Sequence, residues 1–522
     1  MARSRRLAPA HAMAVAVCAA AAGCAAAVEY HVSPGGTAGA GRLSASDAFS
    51  TVQACADAAA PGDVCVVHEG TYPEAVKVVS KAGTKESPVV FRAEGRAAMD
   101  GTERVGSQWE RHEGEVWKTS LEQDVWQLFV GYDTEMVAAR WPNAKHSDGT
   151  IWDQKAAWAH GTITKGGKEY ENGALVDDGK LASSGVDAAG AVAVLNVGSF
   201  KTWSRRVTAH AGSRIEYTPI PKNGWRDKHH YYFLEGKLSL LDSEEEWFYD
   251  KATKTLYFWP PAGADPNTLH IRGKVRGYAF DVTDSNHVKI DGLDFFGATF
   301  KFGKCDGCAV ERSSLTYPST SARSIAEPGT PPQVSKFYDK SKNCVVRGCS
   351  FRFTDGDALR MAGPGNFLLE DNYFYSIDWS VADEPNLMTT MAIYGKNNTI
   401  RRNTVHKTGA SSCFNPGNAA IVELNEVWNT GYLQSDGSVS HMMVGQQPDA
   451  EVRYNWIHDT VKYAIRFDGE GGGHDGSMHH NVVWNCGKGL MVKGYNHKIY
   501  HNTAFDNTYG GDNFNDILVL IE

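Results

Sequence analysis

The chain has 522 residues, 42% hydrophobic, 22% charged and 11% aromatic, a balance that excludes a disordered chain, a collagen and a disulfide-dense miniprotein. Lys and Arg number 52 against 61 Asp and Glu, a formal net charge of −9, so no basic face is expected for nucleic acid.

At the N-terminus, Arg3, Arg5 and Arg6 precede an apolar run over 12–22 that is too short to span a bilayer, and small residues follow. This predicts a signal peptide over 1–27 with cleavage near Ala25 to Ala27. Cys24 after Gly23 also fits a lipoprotein box, which would put a lipid anchor at that cysteine. Both readings give a secreted or extracytoplasmic protein, and no second apolar span follows. Outside the leader stand Cys55, Cys65, Cys305, Cys308, Cys344, Cys349, Cys413 and Cys486. An even number in an oxidising compartment suits disulfides, with Cys55 to Cys65, or the 305/308 group to the 344/349 group, as reasonable pairs. The same four thiols of the second group could ligate zinc, although their spacing is looser than a zinc ribbon.

Residues 28–105 read as an N-terminal cap and first coils. Over 46–58, Phe49, Val52 and Ala56 share one helical face behind Ser46 or Asp47 as a cap, and the strand Val64-CVVHEGTY follows. Such a helix would plug the open apolar end of a solenoid. Residues 106–275 lack any repeat and carry Trp109, Trp117, Trp126, Trp141, Trp152, Trp158, Trp203, Trp225, Trp247 and Trp259, which marks an inserted, aromatic-rich β-subdomain. Trp141, Trp152 and Trp158 are candidate sugar-stacking platforms, with burial in the insert's core as the competing expectation.

From 276 to 522 the chain repeats. Cys349, Asn372, Asn403, Asn425, Asn455, Asn481 and Asn502 open similar segments at intervals of 23, 31, 22, 30, 26 and 21 residues. Each unit alternates apolar and polar residues over short runs, as in Asn481-VVWNCGKGLMVKG, so three strands per unit of about 22 residues predict an all-β, right-handed parallel β-helix. The Asn column is expected to sit in the bends, bonding adjacent coils and tolerating the left-handed region. The apolar strand Ile517-LVLI ends the sequence without a polar cap, which suggests an incomplete C-terminus.

The leader, Tyr30-HVSPGG, His68-EGTYPE, Gly83-TKESPVVFRAE, Leu128-FVGYDTEMVAARWPNA, Leu240-LDSEEEWFYDKATKTLYFWPPAGADP and the Asn-columned coils together resemble secreted right-handed β-helix proteins of the pectate-lyase-like superfamily. The resemblance covers nearly all of 28–522. It implies a carbohydrate-active protein of the glycoside-hydrolase-leaning branch, acting on a plant or algal polysaccharide. It assigns no catalytic residues, because neither the paired-Asp motifs of polygalacturonases nor the calcium signature of pectate lyases is present.

A site must therefore be built from strand alternation. With Leu359, Met361, Met442, Val444, Ile465 and Phe467 pointing inward, Arg360, His441, Arg466 and Asp468 point outward, followed by Met491 and Lys493 on the next coil. Asp436 lies in the bend before His441. A glycosidase needs one protonated and one ionised carboxyl, which makes Asp436 the candidate acid and Asp468 its ionised partner, with His441, Arg466, Lys493, Arg360 and Asp357 holding the sugar. The cations point to an acidic glycan. Cross-coil ion pairing that merely holds register is the competing expectation for Asp436 and Asp468. Asp355 with Asp357 forms a second carboxyl pair, and His474 with Asp475 lies in a loop over the cleft. His458, His479, His480, His497 and His501 read mostly as bend residues. The hydrolase requires no cofactor and is expected to act as a monomer on a polysaccharide or oligosaccharide. Two alternatives remain: a polysaccharide lyase with Lys493 or Arg466 as base and calcium on a uronate, and a non-catalytic β-helix that binds glycan or a partner protein.

Overall fold

A computed structural model describes residues 27–36, 44–106, 108–161, 170, 172–221, 226–325, 327–385, 388–434, 436–469, 472–508 and 515–520. The leader and its Cys24 lie outside these residues. Among the described residues no helix is long and apolar enough to cross a membrane.

The chain winds as a parallel β-helix whose strands stack on three faces. One coil runs through Val345–Arg347, Ser350–Arg352 and Leu359–Met361, and the next through Leu368–Glu370, Tyr373–Ile377 and Thr389–Ile393. Parallel register puts like over like: Val346 opposes Leu369, Phe351 opposes Phe374, and Met361 opposes Ile393. All six are fully buried, so the alternation that makes each strand also builds one continuous apolar interior.

The Asn column is a buried ladder. Asn403 Oδ1 accepts from the backbone N–H of Asn372 at 3.0 Å and from its side-chain amide at 2.9 Å, while Asn403 Nδ2 donates to the Leu369 carbonyl at 3.0 Å. The same contacts recur from Asn403 to Asn425, Asn455, Asn481 and Asn502. The left-handed position is not the Asn, as expected from its turn preference, but the residue before it: Asp371, Arg402, Leu424, Tyr454, His480 and His501 all have φ between 54° and 57°. That bend turns each following Asn amide into the interior, where only another amide satisfies it.

The helix Val52–Ala58 closes the first coil with Val52, Cys55 and Ala56 buried. Its cap is Thr51, whose Oγ1 accepts from Ala54 N at 3.2 Å, rather than Ser46 or Asp47, and Glu74 satisfies the N–H groups of Val52 and Gln53. A Cys55–Cys65 disulfide ties the helix to the strand Val64–Tyr72. The other expected pairing does not form: Cys305, Cys308, Cys344 and Cys349 are free and buried. Cys344 donates to the Lys342 carbonyl and Cys349 to that of Arg347, and the four thiols do not converge as a zinc site.

The coils break after Asp100 and resume at Tyr278, and Thr102–Lys274 fold as two mainly antiparallel sheets with their own cores. Arg272 returns to Asp100 at 2.6 Å to close this excursion. The insert rests on bends that link the second and third faces of the coils. Tyr317 Oη donates to the Asp133 carbonyl, Ser324 Oγ to that of Trp126, and Asp436 N to that of Ser199, while Arg323 pairs with Glu235. It thereby separates two outer surfaces of the solenoid, one on each side of the seam.

Candidate active site

On the third face, parallel register aligns Lys301, Lys336, Arg360, Ala392, Asn415, His441, Arg466 and Met491 in one outward row. Their inward neighbours Leu359, Met391, Phe414, Ile465 and Leu490 are fully or almost fully buried, which fixes the row's direction. Val444 departs from the expected alternation: the strand ends at Met442, and Val444 begins a 3₁₀ turn.

His441, Arg466, Asp468 and Lys493, placed at the centre by strand alternation, come together with Asp436 of the bend before His441. Arg466 reaches Asp436 through Nη1 and Asp468 through Nη2, both at 2.7 Å. Lys493 Nζ lies 3.0 Å from the other Asp468 oxygen, and His441 Nε2 lies 3.3 Å from Asp468. Burial opposes ionisation of Asp468, but the His441 hydrogen bond, the Arg466 charge and the Lys493 contact outweigh it and hold the carboxyl far below the usual range. Burial likewise opposes ionisation of Asp436, and Arg466 outweighs it, so this carboxyl too sits below its ordinary value. A general acid needs the opposite, which corrects the expected role of Asp436. Arg466 is held more firmly protonated by Asp468 and Asp436 against its own burial, so it is unsuited to be a lyase base.

A second group lies along the same row. Arg360 pairs with Asp357, but Asp357 is buried (1% exposed), so direct sugar contact is not its role. The Glu384 carboxyl is buried near those of Asp357 and Asp378. Burial and the neighbouring Asp357 charge push both Glu384 and Asp378 well above the usual carboxylate range. Lys201 from the insert donates to the Glu384 carbonyl at 3.1 Å. Sequence reasoning missed Asp378 and Glu384. Their signal was the 31-residue interval from Asn372 to Asn403, which marks a coil with a long loop, as the 30-residue interval from Asn425 to Asn455 marks the loop carrying Asp436.

The remaining candidates separate. Asp355 turns toward Arg323, at 2.5 Å, whereas Asp357 turns toward Arg360, so the two do not act as one carboxyl pair. Ser412, His441 and Asp468 follow one another like a nucleophile, base and acid, but Ser412 is 1% exposed and closed to a substrate carbonyl. His474 pairs with Asp475 at 2.7 Å. His480 and His501 are bend residues as expected, whereas His458 lies on a strand and stacks between Trp428 and Trp484, and His479 ends another strand. Calcium does not fit the acidic pair: Asp468 oxygens are taken up by Arg466, Lys493 and His441, and Asp436 by Arg466.

Stacked parallel coils, a capping helix and an insert seated on the bends define a right-handed parallel β-helix protein. Residues 337–508 match the family described as "Right handed beta helix region". A solved structure described as "Glycoside hydrolase" is 13% identical, covers 94% of this chain and 96% of its own, and superposes with a TM-score of 0.64, which shows the shared fold. The chain is also similar to a GH136 lacto-N-biosidase from Eubacterium ramulus (10% identity, 91% and 68% coverage, TM-score 0.37) and to pectate lyase Pel9A (10%, 94% and 82%, 0.33). No curated protein matches in sequence.

Proposed function

We propose that this protein is a secreted carbohydrate-active enzyme that hydrolyses glycosidic bonds of an acidic plant or algal polysaccharide on the outer face of the third sheet. The observation that carries this reading is a division of carboxyls by charge. Glu384 is kept neutral by burial beside Asp357, whereas Asp436 is kept ionised by Arg466 and Asp468 by His441, Arg466 and Lys493. The loops of Glu384 and Asp436 belong to coils two steps apart, roughly 10 Å at the backbone, which side chains can narrow to the gap needed for a water between acid and base, and Asp468 lies one coil further on. Glu384 is held protonated but is only 3% exposed, so its donation to the leaving glycosidic oxygen requires the segment 378–385 to open when substrate binds. Asp436, the more exposed of the ionised pair, takes a proton from the attacking water, and Asp468 fixes Arg466, Lys493 and His441 around the sugar. Lys336 and Arg360 extend positive charge along the same row, which favours a glycan bearing carboxylate or sulfate.

The test is a panel of plant and algal polysaccharides incubated with wild type, Glu384→Gln, Asp436→Asn and Asp468→Asn, reading new reducing ends together with absorbance of unsaturated uronate. Reducing ends without that absorbance, lost in all three variants, support the hydrolase. Absorbance would replace it with a lyase, and binding without any product would replace both with a glycan-binding solenoid.

A further inference from the structure

On the other side of the insert seam lies a groove of about 1130 Å³, lined by Trp152, Tyr231, Tyr375, His406, Lys407 and Tyr432 among others. Through Trp152, Tyr375 and Lys407 it continues into a pocket of about 350 Å³. Lys407 is the cation at the junction. Its Nζ stands 5.4 Å from the centre of the Trp152 ring and 5.8 Å from that of Tyr375, and among the described residues no carboxylate pairs with it.

The position of Lys407 in the coil is unusual for its type. It occupies a left-handed corner, φ 60°, in a column that runs Tyr317, Phe353, Ser376, Lys407, Asn429, Asp459, Asn485 and Asp506 from coil to coil. The short polar side chains on the flanking coils, Ser376 and Asn429, suit the conformation, and a lysine does not. Tyr317 and Phe353 pack on aromatic neighbours at their corners, whereas the charge of Lys407 meets only ring faces among the described residues, which points to a use outside folding. Nearby acids do not supply that use. Asp153 caps the helix Gln154–Ala157, and burial pushes Glu135, on the floor of the adjoining pocket, up to about 8, so that it is uncharged near neutrality.

We infer that this groove is a second glycan-binding site, in which Lys407 pairs with the carboxylate or sulfate of an acidic sugar residue whose ring packs against Trp152 and Tyr432. Trp152 and Tyr432 meet edge to face at 6.3 Å, and Tyr432 is 37% exposed, so apolar ring area is open to a ligand beside the cation. The groove holds none of the residues assigned to catalysis. The inference shares the carbohydrate reading above but not its catalytic assignment: the site would hold a polymer on the enzyme while the neighbouring third face cleaves it.

Calorimetric titration with tri-galacturonate, a sulfated carrageenan tetrasaccharide and neutral cellotriose tests it on the full-length protein. At least one acidic probe should bind, cellotriose should bind far more weakly, and Lys407→Asn and Trp152→Ala should each lower affinity for the acidic probe by about tenfold or more. Lys407→Asn gives this corner the residue that the next coil carries there, Asn429, so its thermal midpoint should equal or exceed that of wild type. Asp436→Asn should lose cleavage and keep this binding, which separates failure at one site from failure at the other. Undiminished affinity in folded Lys407→Asn, equal binding of cellotriose, or no binding of either acidic probe would overturn the inference. The preferred acidic probe distinguishes carboxylate from sulfate.

Discussion

Asn425 Oδ1 accepts both the backbone N–H and the side-chain amide of Asn403, and Asn425 Nδ2 donates to the Ile400 carbonyl, so one buried side chain satisfies three polar groups of other coils. Replacing it with Ala leaves those groups without partners in a space closed to water. At about 1–3 kcal/mol for each buried group left unsatisfied, Asn425→Ala should cost several kcal/mol and lower the unfolding midpoint in denaturant markedly. The same change at Asn502, near the last coil, should cost less. Equal small losses at both positions would mean that the ladder does not hold the coils in register.

The six free cysteines are buried in the coils, and burial raises the thiols of Cys349, Cys413 and Cys486 to about 12. Native protein lacking residues 1–27 should therefore react negligibly with a thiol reagent and expose six thiols once denatured. Reducing the Cys55–Cys65 bridge should destabilise the capping helix by about 2–3 kcal/mol, read as a shift in the denaturant midpoint.

The interior was legible because parallel register makes one coil predict the next: the spacing of Asn372, Asn403 and Asn425 announces the solenoid, and alternation places His441, Arg466 and Lys493 on one face. Charge state was not legible. Asp436 looked like an acid because only His441 was visible beside it along the chain, whereas Arg466, 30 residues on, is the group that touches it. Glu384 was hidden for a related reason. Its neutrality comes from burial beside Asp357 of the preceding coil and Asp378 of its own loop, and no local pattern encodes that convergence.

Glu135 gives a pH signature for the seam between insert and coils. Gln127 donates to it at 2.7 Å, yet burial dominates and raises it from 4.5 to about 8. The folded state thus holds a proton that the unfolded chain releases above about 4.3, and the stability associated with that proton is full below this value and falls as pH rises toward 8. Glu135→Gln keeps the shape without the acid. It should leave the unfolding midpoint unchanged near pH 4 and raise it relative to wild type near pH 8. A variant equally or less stable at both pH values would show that Glu135 is ionised in the folded protein.

Arg466 sets the acid limit of the proposed reaction. Its guanidinium bridges Asp436 and Asp468, and both carboxyls lie below their ordinary values because of it, with His441 and Lys493 adding to the effect on Asp468. Folded values depressed in this way mean that the ionised pair persists as pH falls and is lost only below the normal Asp range near 3.9. Wild-type release of reducing ends should accordingly hold up at low pH and decline at high pH, where Glu384 gives up its proton. Arg466→Gln removes the bridge and leaves two carboxylates facing each other across the site. One of them should then hold a proton at a higher pH than in wild type. The acid limb of kcat/KM should move up by about one pH unit or more, while the alkaline limb, set by Glu384 on a coil two steps away, should stay in place. Movement of both limbs together, or of neither, would place the titrating groups elsewhere.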